Sequence, residues 1–287
     1  MARFRTRPWI EAAVASALLV CMGLASAGPA RSGPEKDREA FARYFLDRFP
    51  DVPLAEYANG IYALDERARE QWEEIEEFPP YEFAVEHGQE LFAQSFSNGA
   101  GYADCFENGG VGIRQNYPRF DADRGDVVTL ELAVNLCRER NGEPLLAYDG
   151  DDMNAISAYM AWTSRGKPIN VAVPDDPRAL AAYEAGKQFY YSKRGQLNFS
   201  CSDCHVTSAG QYVRADHLSA GLGHPTHFPV YRSKLGRMLS LHGRFYGCVR
   251  DVRARPFEEQ SPEFRNLEYF LTYMSNGLPV NGPGARK

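Results

Sequence analysis

The pentapeptide Cys201-Ser202-Asp203-Cys204-His205 constrains this chain more than any other stretch. It spells C-x-x-C-H. Two thiols three positions apart can add across the two vinyl groups of a haem, and the adjacent imidazole then lies under the ring and ligates the iron. That is the attachment signature of a c-type haem. A bare C-x-x-C also serves zinc or thiol redox chemistry. A structural zinc site calls for a second ligand pair downstream, and the chain has no second C-x-x-C. A thioredoxin-like site calls for a strand before it and a βαβ setting, which the pattern does not show.

The start of the chain supplies a fitting compartment. Arg3, Arg5 and Arg7 precede an apolar run from Ala12 to Leu24, and Ala25-Ser26-Ala27 is an A-x-A cleavage site. Residues 1–27 therefore read as a secretory signal peptide. The run is too short to span a bilayer, and no later stretch is apolar enough. There is no Arg-Arg pair for the twin-arginine route, and Leu19-Val20 before Cys21 is a poor lipoprotein context. The exported chain is expected to begin near Gly28, in the periplasm. The formal charge is −6; the leader holds three arginines and one glutamate, so the exported chain stands at −8. An acidic chain without a basic tail argues against nucleic acid as a partner. About 260 exported residues suit two domains better than one small haem domain.

Two parts of the chain resemble each other. Glu86-His87-Gly88-Gln89-Glu90-Leu91-Phe92 and Glu184-Ala185-Gly186-Lys187-Gln188-Phe189-Tyr190 share the form E-x-G-x-x-[LF]-[FY]. Asp104-Cys105-Phe106 follows the first and Asp203-Cys204-His205 the second. Gly166-Lys167-Pro168-Ile169-Asn170 and Gly277-Leu278-Pro279-Val280-Asn281 close them. The closing helix of the second copy is well marked: Ser261 as N-cap, Pro262 in the first turn, a stripe of Phe264, Leu267, Leu271 and Met274, and Gly277 as the stop. In the first copy Asp152 is the expected cap, ahead of Met153, Ile156 and Met160. Each copy has an opening helix, a loop with the cysteine motif, and a closing helix, the order of a small c-type cytochrome. The first copy has Phe106 in the place of the ligating His and Tyr102 in the place of the first Cys, so it cannot hold haem in this way. The expected fold is mainly α, two cytochrome c-like domains in tandem, the first without haem. The domains are expected at 81–172 and 173–287, behind a helical extension at 28–80 in which Phe41, Tyr44, Phe45 and Phe49 recur at helical spacing.

Without Cys21, five cysteines remain: Cys105, Cys137, Cys201, Cys204 and Cys248. Haem takes Cys201 and Cys204. In an oxidising compartment two of the rest can pair. A Cys105–Cys137 bond would replace part of a lost haem core; the alternative is two free buried thiols. Cys248 is then left over, and an odd thiol in an exported protein needs an explanation. It lies where a small cytochrome brings up its distal ligand. Met238 is a rival for that role; Met274 belongs to the helix stripe, and His217, His224, His227 and His242 are further candidates. Gly243 and Gly247 flank Cys248 and would let backbone approach a flat ring. From Tyr231 to Arg255 the chain has seven basic residues and only Asp251 as an acid, inside an acidic protein. Several of these cations suit haem propionates or a solvated face. Arg244, four residues before Cys248, suits an anion site on the same helix face. A thiolate on haem iron lowers its potential, which fits sulfur chemistry better than simple electron relay.

With C-x-x-C-H, the R-x-x-x-C of Arg244 and Cys248, the run from Arg265 to Gly282 and the run from Cys105 to Pro118, nearly the whole exported chain resembles the SoxA family, catalytic cytochrome subunits of SoxAX complexes. The resemblance implies one covalent haem c on Cys201 and Cys204, with His205 as proximal and Cys248 as distal ligand. It implies that Cys248 carries the reacting sulfur as a persulfide and that Arg244 binds thiosulfate. The implied reaction joins thiosulfate oxidatively to a cysteine of the carrier SoxYZ. Electrons leave through the partner cytochrome SoxX to a soluble cytochrome c. Some family members carry a second haem in the first domain; Phe106 sets this chain apart from them. A periplasmic electron-transfer cytochrome without transferase activity is the alternative, and a haem subunit that only docks a partner is a third reading.

Overall fold

The fold is held together by two helix pairs that each close on a glycine. The computed structural model describes residues 33–213 and 215–286; the signal peptide expected at 1–27 lies outside them. An N-terminal arm comprises α1 (Pro34–Arg48), a 3-10 stretch (Leu54–Ala63) and α2 (Glu66–Glu76). The first repeat follows with α3 (Glu82–Ala93), a hairpin of β1 (Arg119–Asp121) and β2 (Asp126–Val128), α4 (Leu130–Arg140) and α5 (Asp151–Trp162). The second has α6 (Pro177–Tyr191), the small hairpin β3 (Tyr212–Val213) and β4 (Asp216–His217), then β5 (Val230–Arg232), β6 (Arg237–Leu239), α7 (Leu241–Asp251) and α8 (Pro262–Met274). A last strand, β7 (Gly284–Arg286), runs parallel to β5, so the sheet order is β6-β5-β7. The fold is mainly helical, as the sequence led one to expect.

The two repeats are built alike. In the first, α3 packs on α5, and a Cβ on Gly88 would fall 1.9 Å from the Ala155 carbonyl oxygen. In the second, α6 packs on α8, and a Cβ on Gly186 would fall 1.9 Å from the Asn266 carbonyl oxygen. The shared E-x-G thus marks the point where backbones touch, which any side chain would block. Each repeat then has a hairpin feeding a helix through a hydroxyl cap. Thr129 accepts from Leu132 N at 3.1 Å and Ser240 from Gly243 N at 2.9 Å. Position by position, Cys137 of α4 corresponds to Cys248 of α7. The two closing motifs pair with one another: Pro168 bridges Pro279, and Ile169 N donates to Leu278 O at 2.9 Å.

The caps follow the sequence pattern with one difference. Asp176 and Ser261 cap α6 and α8, each followed by proline in the first turn. At α5 the cap is Gly150, and Asp152 lies inside the first turn, where its carboxylate meets His87 Nε2 at 2.9 Å. An acid there still favours the helix N-terminus. The arm packs as a helical extension: Phe41 and Phe45 of α1 are buried in the second repeat's core with Tyr183, Tyr190 and Phe270. Each such aromatic contributes about 1.5–3 kcal/mol of burial. The first repeat's core gathers Phe92, Tyr102, Phe106, Leu130 and Met153. Phe106 and Tyr102, which stand where haem-binding residues would be, are core side chains.

Candidate active site

Cys201 opens a helical turn that continues as a π-type turn, Asp203–Thr207. Its start is fixed by a reciprocal cap. Ser200 N and Oγ both donate to Asp203 Oδ2 at 2.8 Å, and Asp203 N donates to Ser200 Oγ at 3.1 Å. This is the S-x-x-[DE] arrangement, legible in Ser200-Cys201-Ser202-Asp203 but overlooked beside the cysteines. These bonds to Ser200 hold the Asp203 carboxyl below its ordinary pKa. From the arm, Arg48 donates to Val206 O at 2.6 Å, Thr207 O at 2.9 Å and Ala209 O at 2.9 Å, pinning the exit of the turn.

His205 is oriented by its surroundings. Its Nδ1 lies 3.0 Å from Ser219 O, which leaves Nε2 uncommitted. Its ring meets the His224 ring edge-on at 4.2 Å between centroids, and His224 Nε2 is bonded to Ser219 Oγ at 2.8 Å. Burial depresses the His205 pKa to about 4, with Arg244 adding to the effect, so the imidazole is neutral and a competent metal donor.

Arg244 and Cys248 both lie on α7, four residues apart and therefore on one face. Both are half-buried. The Arg244 pKa is raised, chiefly by the charge of Cys248 working against burial. Burial pushes the Cys201 thiol up to about 12, and raises Cys204 with a contribution from Cys248. Cys248 thus lies within electrostatic reach of Cys201, Cys204 and Arg244, which sequence spacing alone did not require of residues so far apart. The opposite face of α7 is anchored. His242 Nδ1 accepts from Gln260 N at 3.0 Å, and its Nε2 stands 3.1 Å from Glu268 Oε2 without hydrogen-bond geometry. Arg114, from the first repeat, stands 3.7 Å from the other Glu268 oxygen. This buried trio escaped sequence reasoning because only the packed fold brings residues 114, 242 and 268 together.

The rival ligands are occupied elsewhere. Met238 packs with Tyr81, Ala158 and Ala285, and Met274 in the second repeat's core. His217 is held by Asp65 at 2.7 Å and Gly210 O at 2.9 Å. His227 is buried beside Arg286, and His242 is bound as described. Gly243 is small for a reason other than the one expected: a Cβ there would meet Leu239 Cδ1 at 2.6 Å. Gly247 faces open space. Cys105 and Cys137 form a disulfide, which cross-links the first repeat where its counterpart Cys248 is free. Two unpaired thiols at C-x-x-C spacing, an imidazole with one committed nitrogen and a further free thiol form a donor set that fits a covalently attached haem c. No helix among the described residues is long and apolar enough to cross a membrane.

The model for the SoxA/TsdA cytochrome c domain matches residues 87–169, the repeat that lacks C-x-x-C-H. The chain is 53% identical over 276 residues to the L-cysteine S-thiosulfotransferase subunit SoxA of Allochromatium vinosum, covering 94% of this chain and 98% of that one. It is 52% identical to the subunit of the same name from Chlorobaculum tepidum, over 88% of each chain. A crystal structure of SoxXA from P. pantotrophus superposes with a TM-score of 0.69 at 34% identity, over 76% of this chain and 84% of that one. Identity at this level across nearly the full length, on a fold that places a free thiol and an arginine beside the C-x-x-C-H turn, has one consequence: the chain belongs to the SoxA family.

Proposed function

We propose that this chain is the catalytic subunit of an L-cysteine S-thiosulfotransferase, joining thiosulfate oxidatively to a cysteine of the carrier protein SoxYZ in the periplasm. The balance is a carrier thiol plus thiosulfate giving the carrier's cysteine S-thiosulfonate, one proton and two electrons, the electrons passing to two molecules of cytochrome c. One haem c would be held by Cys201 and Cys204, with His205 and Cys248 as the residues that would ligate its iron, and it would supply the one-electron acceptor. SoxX is the partner subunit. The observation that carries the reading is the placing of Arg244 and Cys248 one turn apart on α7, beside Cys201 and Cys204.

Each residue then has a role its chemistry suits. Arg244 neutralises and orients the dianion through charge-assisted hydrogen bonds. Cys248 carries the reacting sulfur as a persulfide, being the one half-exposed free thiol outside the attachment motif among the described residues. Ser219 holds His205 in the tautomer that presents Nε2. The burial of Met238 and Met274 in packed cores supports this reading over a plain electron-transfer cytochrome, which would draw on a methionine. The like construction of the repeats supports reading residues 81–172 as a haem-free cytochrome c-like domain, residues 173–287 as the haem-binding one and residues 28–80 as their helical extension.

The test is thiosulfate-dependent cytochrome c reduction by the holoprotein with SoxX and carrier present. Arg244→Ala should lower kcat/KM at least tenfold, about 1.4 kcal/mol of transition-state stabilisation, while haem content stays unchanged. Turnover equal to the parent protein would remove Arg244 from the mechanism. Intact mass spectrometry should show one haem and one disulfide; a second haem mass would contradict the single-haem assignment.

A further inference from the structure

Seven basic residues lie between Tyr231 and Arg255, and the structure sorts them. Five are exposed. Among these Lys234 pairs with Asp216 at 2.9 Å, Arg237 donates to Asp149 O at 3.1 Å, and Arg250 stands 3.7 Å from Asp251. The remaining two, Arg232 and Arg244, are half-buried, and neither guanidinium has a hydrogen bond or ion pair among the described residues. Arg286, buried on the strand next to Arg232, shows what a committed cation looks like here. It stacks on Tyr62 at 4.6 Å and donates to Ala285 O at 2.7 Å and Asn59 O at 3.2 Å.

Arg232 ends β5, whose hairpin partner β6 leads through Ser240 directly into the helix of Arg244 and Cys248. The two cations belong to one cluster. Arg244 opposes the charge on Arg232, and Cys248 and Asp216 support the charge on both. Asp216 is itself engaged by Lys234 and does not hydrogen-bond either arginine. Two guanidiniums that repel each other at reduced solvation, with donors unspent, are stabilised when a dianion comes between them.

We propose that Arg232 is a second anion-binding residue, which together with Arg244 receives the sulfonate oxygens of thiosulfate and leaves the terminal sulfur facing Cys248. The assignment rests on the thiosulfotransferase reading and adds a substrate contact to it. A tetrahedral oxyanion offers oxygens to two planar forks at once, whereas the terminal sulfur is a poorer acceptor and is left for the thiol.

The test compares the parent holoprotein with Arg232→Gln and Arg232→Lys, in complex with SoxX. Three quantities are read: KM for thiosulfate, the dissociation constant of sulfate as a non-reacting dianion by titration calorimetry, and the haem midpoint potential with its absorption spectrum. Arg232→Gln should raise KM and weaken sulfate about tenfold or more, lower kcat by less, and leave potential and spectrum in place. Arg232→Lys should recover part of the sulfate affinity, because a point charge remains. A KM and sulfate affinity within twofold of the parent would overturn the proposal. A shifted potential in that case would reassign Arg232 to a haem propionate, and an unshifted one would make it a bystander. A parent complex that turns over no thiosulfate would sink the enzymatic reading, and the sulfate titration would still decide whether Arg232 binds a dianion.

Discussion

His227 shows what the interior does to a single ionisable group. It is buried, and its pKa lies well below the ordinary 6.5, first because of burial and then because of the Arg286 guanidinium beside it. In the unfolded chain it takes a proton as the pH falls through about 6.5; in the folded chain it does not. The unfolded state therefore binds more protons below that pH, and stability is lost on acidification by up to about 1.4 kcal/mol per pH unit. The urea midpoint should fall between pH 7 and pH 5, and His227→Gln should flatten that slope; an unchanged slope in the variant would assign the loss to another group. At this scale the sequence was informative wherever chemistry sets the spacing. Cys201, Cys204 and His205 announce themselves because haem attachment demands their order, and Cys248 because it is the odd thiol. Arg244 stood out by its spacing from Cys248, but Arg232 could not be told from the other cations around it, since burial and the absence of a partner are properties of the packed chain.

Among the elements, the pairs α3–α5 and α6–α8 carry the plan. Gly186→Ala would place a methyl carbon 1.9 Å from the Asn266 carbonyl oxygen, with Phe270 Cβ at 2.9 Å. Backbone on one side and a Cβ fixed to the α8 backbone on the other leave no room to yield, so α6 must move off α8. We expect a loss of about 1–3 kcal/mol from overpacking, read as a lower denaturation midpoint with the haem still attached. Gly277→Ala supplies the comparison: nothing lies within 4 Å of its added carbon, and its cost is backbone strain at φ +87° alone. The repeated E-x-G foretold both helix pairs, and the Ser261-Pro262 cap foretold the start of α8. The hairpins before α4 and α7 were not foreseen: strands of three residues carry too little alternation to stand out. The expected Asp152 cap was placed two residues late, because α5 begins at Asp151 behind Gly150.

For the molecule as a whole, the disulfide between Cys105 and Cys137 does for the first repeat part of what a prosthetic group does for a haem domain. It closes a loop spanning 32 positions, which in the chain-entropy account contributes about 3–4 kcal/mol. Replacing both cysteines by Ala should lower stability by that order, read by urea denaturation, with haem content unaffected; equal stability would show that core packing around Phe106 suffices. The arrangement of two like halves was legible from the duplication, but their joining was not. Pro168 and Pro279, Ile169 and Leu278 meet across a ladder whose rungs come half from each repeat. Such a seam has no owner: cut the chain near residue 172 and both fragments are left with a row of amides seeking lost mates. The first repeat is thus more than an appendage: its backbone completes hydrogen bonds that the second repeat cannot satisfy alone.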